Sequence, residues 1–195
     1  MSHGLVFTHL HKSAIWRKVR SHMAIATVSR RHTTTGLDGL QHTHGAERFG
    51  RLVTSGDVGS HGHLLLLGLD VMDTVELVEL LEQGLVYVAF EQLALNSSLS
   101  SDTLQALIDI PSRTMTRRRQ DGRFHSDESD RLVRAARIVG GALALFEGDR
   151  EAAARWLTSP QWGLGGALPV QFARMEVGAL EVERLMERLN HGVVA

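Results

Sequence analysis

The sequence predicts an all-α protein, folded from about Leu64 onward. Three observations carry this reading. Aromatic residues make up only 5% of the 195 residues and prolines number three, a composition that leans to helix over sheet. Apolar residues beyond Leu64 recur at helical spacing. Good capping residues and glycine or proline stops bracket each periodic stretch.

Residues 1–63 lack these signals. They hold nine of the eleven histidines and eight of the nineteen glycines, and their apolar residues are scattered singly. Apart from a short amphipathic turn around Ala14–Val19, this region reads as a largely disordered, flexible His-rich N-terminal extension. Met23 and Met72 stand as alternative starts.

From Leu64 the elements follow in order. Asp73-Thr74-Val75-Glu76 fits a capping box, and Leu77, Leu80 and Leu81 mark one face of a first helix stopped by Gly84. Val86–Leu95 reads as a second helix, with Phe90 and Leu93 inward, ended by Asn96-Ser97-Ser98. Ser100 caps a third, Ser101–Ile108, with Leu104, Leu107 and Ile108 inward. Asp109-Ile110-Pro111 is a turn, because the residue before proline avoids the α region. Ser112–Gln120 is a fourth helix, stopped at Asp121-Gly122. Ser126 caps a long helix to about Phe146, with Asp127 and Glu128 in its first turn. Asp149 caps a shorter helix through Leu157. Residues 161–168 form a Gly-rich loop, and Pro169 opens one last helix that runs through Val182, Leu185, Met186 and Leu189 to Asn190.

Composition narrows the function classes. The absence of cysteine excludes a disulfide scaffold, a Cys-ligated zinc site and a thiol nucleophile. No stretch reaches the length of a membrane helix, and no apolar segment follows the basic N-terminal residues, so a secretory signal is not expected. The expectation is a cytoplasmic protein with no membrane partner. The formal net charge of −1 argues against a nucleic-acid partner only if charge is evenly spread, and it is not. Residues 1–63 carry +5, residues 64–110 carry −8 with no basic group, and residues 111–195 carry +2. Eight arginines fall between Arg113 and Arg137. The acidic block is placed either to keep the basic part from binding DNA alone or to form a dimer face.

Two short helices joined by a three-residue turn, 101–108 and 112–120, have the layout of a helix-turn-helix DNA reader. Met115 points to the core with Ile110. Arg113 and Arg117 are four apart and share a face, and Arg118 follows them, so all three are candidates for guanine edges or phosphates. Ser112 and Thr114 lie at the helix N-terminus, where backbone N–H groups hold phosphate. The rival reading is a solvated basic face on an ordinary helical hairpin. The pairs His9/His11, His42/His44 and His61/His63 place two imidazoles on one side of an extended chain. No carboxylate stands at ligand spacing, so adventitious affinity is the better reading and no metal or cofactor is expected. Gly165-Gly166 lacks the lysine and preceding strand of a phosphate loop and reads as a connector. His125, Ser126 and His191 form no catalytic set, so no enzyme is expected. Trp156 and Trp162 read as core or interface anchors, Trp162 the more exposed.

Ile110-Pro111-x-Arg113-Thr114-Met115-x-Arg117-Arg118, then Gly122-Arg123-Phe124-x-x-Asp127-Glu128-Ser129-Asp130-Arg131-Leu132, then Trp156-Leu157-x-x-Pro160, Leu164-Gly165-Gly166-x-x-Pro169, Gly178, Val182 and His191-Gly192-x-x-Ala195 together resemble the Xre/MbcA/ParS family of type II antitoxins. The resemblance spans about residues 65–195. It implies an Xre-like helix-turn-helix domain at 64–125 and a small helical toxin-binding domain at 126–195. It implies a cognate RES-domain toxin that degrades NAD⁺ or ADP-ribosylates a target, its active site blocked by this chain, and repression of the shared operon through operator DNA. It also implies a homodimer or a hetero-oligomer with the toxin. On this resemblance Ser112, Arg113, Thr114, Arg117 and Arg118 meet DNA. Trp156, Leu164, Gly165, Gly166, Arg174, Glu176, His191, Gly192 and Val193 meet the toxin. The family pattern departs at Phe172–Gly178, where Met175 replaces the usual threonine. The alternative function is a stand-alone helix-turn-helix transcriptional regulator whose C-terminal helices serve dimerisation alone. A weaker one is a metal-buffering protein built on the histidines.

Overall fold

The long amphipathic helix predicted after Gly122 is the axis on which the other elements are assembled. The computed structural model describes residues 44–55, 61–70 and 73–192. Among them the α-helices are α1 (His44–Ser55), α2 (Thr74–Gln83), α3 (Val88–Ser97), α4 (Ser101–Ile108), α5 (Ser112–Asp121), α6 (Ser126–Leu145), α7 (Arg150–Leu157), α8 (Pro169–Phe172) and α9 (Glu176–Asn190), with short 3-10 turns at Gly62–Leu67 and Trp162–Leu164. The all-α class is as the sequence predicts. No extended strand occurs among the described residues, only isolated pairings of Val86 with Arg123 and Gln161 with Ala167.

Helix α6 packs against α1, α2, α3, α4, α7, α9 and the 62–67 turn. Its inward residues Leu132, Ala135, Ala136, Ile138, Val139, Ala142 and Leu143 are buried. Glycine lets the neighbours come close: a Cβ on Gly141 would stand 2.6 Å from the Met186 methyl of α9. The caps behave as their chemistry requires. The Asp73 carboxylate accepts from Val75 and Glu76 N–H, Ser100 Oγ from Thr103 N–H, and Asp149 from Ala152 N–H.

Three expectations are corrected. Residues 44–55, placed in the flexible extension, are helical. Ala46, Phe49 and Val53 form a short helical stripe, and Phe49 is only 2% exposed because the buried leucines Leu64, Leu66 and Leu67 receive it. Asn96 fixes this docking, its Oδ1 accepting from Ala46 N–H at 3.0 Å and its Nδ2 donating to Leu66 O at 3.0 Å. Residues 61–63 of the extension are also ordered, entering the 62–67 turn, while residues 1–43 and 56–60, with the His9/His11 pair, His42 and the amphipathic turn around Ala14–Val19, lie outside the described residues. The cap of α6 is His125 rather than Ser126, because the Glu128 carboxylate turns back to accept the His125 N–H at 2.8 Å. The last helix is two: Pro169 opens the four-residue α8, Ala173–Met175 break the run, and α9 begins at Glu176.

Candidate functional site

Helices α4 and α5 form the helix-turn-helix. Asp109 caps α4 in the left-handed region at φ 52°, a position that aspartate tolerates better than most residues. Ile110 and Met115 are buried and seat α5 on the core. On a 3.6-residue period Arg113, Arg117 and Gln120 lie opposite Met115 and are exposed, with exposed Thr116 and half-buried Thr114 at the edges of that face and Ser112 exposed at the helix N-terminus. Arg113 and Arg117 make no ion pair among the described residues.

Arg118 is the exception to the predicted set. It lies three residues after Met115, on the inward face, and is 4% exposed. Its Nε meets Glu128 Oε2 at 2.6 Å and its Nη1 meets Asp121 at 3.1 Å. Burial pushes the Glu128 carboxyl up, but Arg118 and the His125 N–H outweigh it and hold the group below the ordinary carboxylate range. Arg118 is thus buried rather than presented with Arg113 and Arg117, and it fastens the end of α5 to the start of α6. Arg119, which the sequence reading passed over, is exposed on a different face, beside α3, and has no ion pair among the described residues.

The mount of α5 continues beyond its end. Phe124 N–H donates to Leu85 O at 2.8 Å and Tyr87 N–H to Gly122 O at 2.9 Å, so the strap 85–87 pairs with 122–124. Ser129 Oγ accepts from Leu85 N–H at 2.8 Å, and Arg123 donates to the carbonyls of Gln83 and Gly84. Tyr87, Phe90 and Phe124 cluster beneath, with ring centroids 5.6–6.5 Å apart.

The C-terminal region presents a different surface. Trp162 is 93% exposed, Met175 75% and Val177 83%, with Phe172 and Leu180 also outward. The 162–164 turn that carries Trp162 packs against α9, the helix that carries Val177. Gly165 and Gly166 adopt φ of 66° and 84° to close this turn, with Gly166 N–H donating to Gln161 O at 2.9 Å. Leu164 is buried and Trp156 half-buried, so both support the turn more than they present it. His191 and Gly192 follow α9 on the surface, and Val193 lies outside the described residues. Glu176 pairs with Arg137 at 2.7 Å, and Arg137 also pairs with Glu183. The Arg174 guanidinium pairs with the Asp109 carboxylate of the helix-turn-helix.

His61 reaches Thr74 at 3.5 Å, while His63 packs against Gly140 of α6. Burial first, then Arg137 and His61, hold the His63 imidazole down at about 4. No group of three potential metal ligands occurs among the described residues. What the molecule offers is a basic helix face on one element and an exposed apolar face on others, the equipment of a binder.

Comparison with known proteins bears on both faces. A model of the antitoxin Xre-like helix-turn-helix domain matches residues 76–137. A model of the antitoxin Xre/MbcA/ParS C-terminal toxin-binding domain matches residues 141–192. The end of the first match and the start of the second both lie within α6. The chain is 38% identical over 128 residues to an antitoxin Xre of Yersinia enterocolitica, covering 65% of this chain and 86% of that protein. It is 33% identical over 117 residues to an antitoxin Xre of Photorhabdus laumondii, covering 60% and 79% respectively. A third relative, an antitoxin Xre of Pseudomonas putida, is 37% identical over 84 residues, covering 43% and 52%.

Proposed function

The chain belongs to the Xre antitoxin family, with a helix-turn-helix domain and a C-terminal toxin-binding domain, and from that premise we propose that it neutralises a RES-domain toxin by covering its NAD⁺ site and represses its own operon. It does so by binding, without catalysis or cofactor, in the cytoplasm and as a complex with the toxin. The observation that carries the first half is the exposure of Trp162, Met175 and Val177 within the region that matches the toxin-binding model. Large apolar side chains left in water at this density mark a docking face, and tryptophan is the residue most often dominant in one. His191 and Gly192 are exposed after α9, and on this reading they and Val193 belong to the toxin contact. The second half rests on the exposed face of α5, where Arg113 and Arg117 stand free to meet base edges and Ser112 and Thr114 to meet phosphate.

Two variants separate the halves. Val177→Asp, in a chain coexpressed with a cognate RES-domain toxin, should abolish copurification and growth rescue while leaving repression of a promoter reporter in place. Arg117→Ala should do the reverse, weakening operator binding by about 1–3 kcal/mol if it reads a base. Copurification undiminished in Val177→Asp would refute the proposed toxin face, and unchanged operator binding in Arg117→Ala the proposed reader.

A further inference from the structure

The recognition helix is not held by its own domain alone. Helix α4, the first of the helix-turn-helix, packs against α8 of the C-terminal region. Beside that contact the Arg174 guanidinium pairs with the Asp109 carboxylate, both half-exposed. The same two residues are held by their backbones. Arg131 of α6 donates to Asp109 O at 3.3 Å, and Arg134, buried in α6, donates to Arg174 O at 2.7 Å. Asp109 is the left-handed residue of the three-residue turn that launches α5, so its carboxylate and carbonyl set where α5 starts. A shallow groove lined by Gln105, Asp109, Pro111, Ser112 and Arg174 marks the junction.

We propose that Arg174 is a positioning residue for DNA recognition, contributed by the C-terminal region and acting through Asp109 on the turn that orients the reading helix. This rests on the reading of α5 as the DNA-binding helix. Arg174 thus serves the DNA side of the molecule, and the two functional regions share one residue pair.

Simple electrostatics and positioning make opposite predictions. Asp109 is an acidic group at the edge of the surface that faces phosphate. If charge alone mattered, Asp109→Asn would tighten DNA binding, Arg174→Gln would weaken it, and the double variant would bind like the parent. Positioning predicts that each single variant weakens binding by about two- to fivefold, the range of one exposed ion pair. The double variant is then no weaker than either single. Arg174→Lys restores affinity.

The test uses the full chain and a duplex of the DNA immediately upstream of its coding sequence, read by fluorescence anisotropy across salt. The expected result is weaker binding in Asp109→Asn and Arg174→Gln, non-additivity in the double, and a salt slope unchanged in all three. Tighter binding in Asp109→Asn, additive effects, or a slope reduced by about 1 in Arg174→Gln, which marks a direct phosphate contact, overturns the proposal. Arg117→Ala serves as the control. If it too binds as the parent does, the reading of α5 has failed; if it alone loses affinity, only the role of Arg174 has.

Discussion

Arg118 shows how much one side chain decides. Three arginines in a row look interchangeable as text, and at 100° per residue both Arg118 and Arg119 fall on the side of Met115, yet Arg118 is buried and Arg119 is exposed. Spacing alone does not choose between them; the choice is made by the acceptor, Glu128, which the next helix supplies. Taking away one member leaves the other buried and unpaired. Glu128→Ala should therefore cost about 3–5 kcal/mol, measured by urea unfolding, whereas Arg118→Met with Glu128→Leu should cost much less. A double variant as unstable as the single would show that packing, not charge, dominates here. Because the Glu128 carboxyl sits below its ordinary range, its contribution is present at neutral pH and lost as pH falls through that lowered value.

At the scale of elements, what was legible was what depends on neighbours in sequence. The bounds of α4 follow from Ser100 and Asp109, those of α7 from Asp149, and the start of α8 from Pro169. What was not legible depends on distant partners. Helix α1 exists because Phe49 finds Leu64, Leu66 and Leu67, and a stripe of three apolar residues among glycines is too weak a signal alone. The break between α8 and α9 is a local corner, where Gly178 of α9 comes close to Phe172 at the end of α8. A Cβ there would lie 1.8 Å from Phe172 O, a backbone atom that cannot step aside. In most helices Gly→Ala stabilises by up to ~1 kcal/mol. Gly178→Ala should instead destabilise, by about 2–4 kcal/mol in thermal or urea unfolding, and loosen the Met175–Val177 face. A stabilised variant would mean that the α8–α9 corner yields easily.

Over the whole molecule, α6 ties the reading helix, the C-terminal face and the N-terminal α1 to one core, so the halves named by charge and motif are not separate bodies. The near-neutral total conceals this arrangement: acidic Glu76, Glu79 and Glu82 lie exposed on α2, while Arg113 and Arg117 lie exposed on α5. His63 sits where the 62–67 turn meets α6, and its imidazole is held at about 4 against an ordinary 6.5. The unfolded chain therefore binds the extra proton between those values. Stability should fall as pH drops from about 6.5 to 4, by at most ~3 kcal/mol. His63→Asn should flatten that slope in urea titrations at stepped pH, and an unchanged slope would place the acid sensitivity elsewhere. In the proposed function the exposed apolar face of the C-terminal region silences a RES-domain toxin. The most direct test titrates the purified chain into the purified RES-domain partner and follows NAD⁺ loss. One equivalent of the parent chain should halt it, and the Val177→Asp chain should need at least ~30-fold more, the loss of one dominant contact. NAD⁺ loss undiminished by the parent chain, or halted equally by both, would contradict a toxin-silencing role for that face.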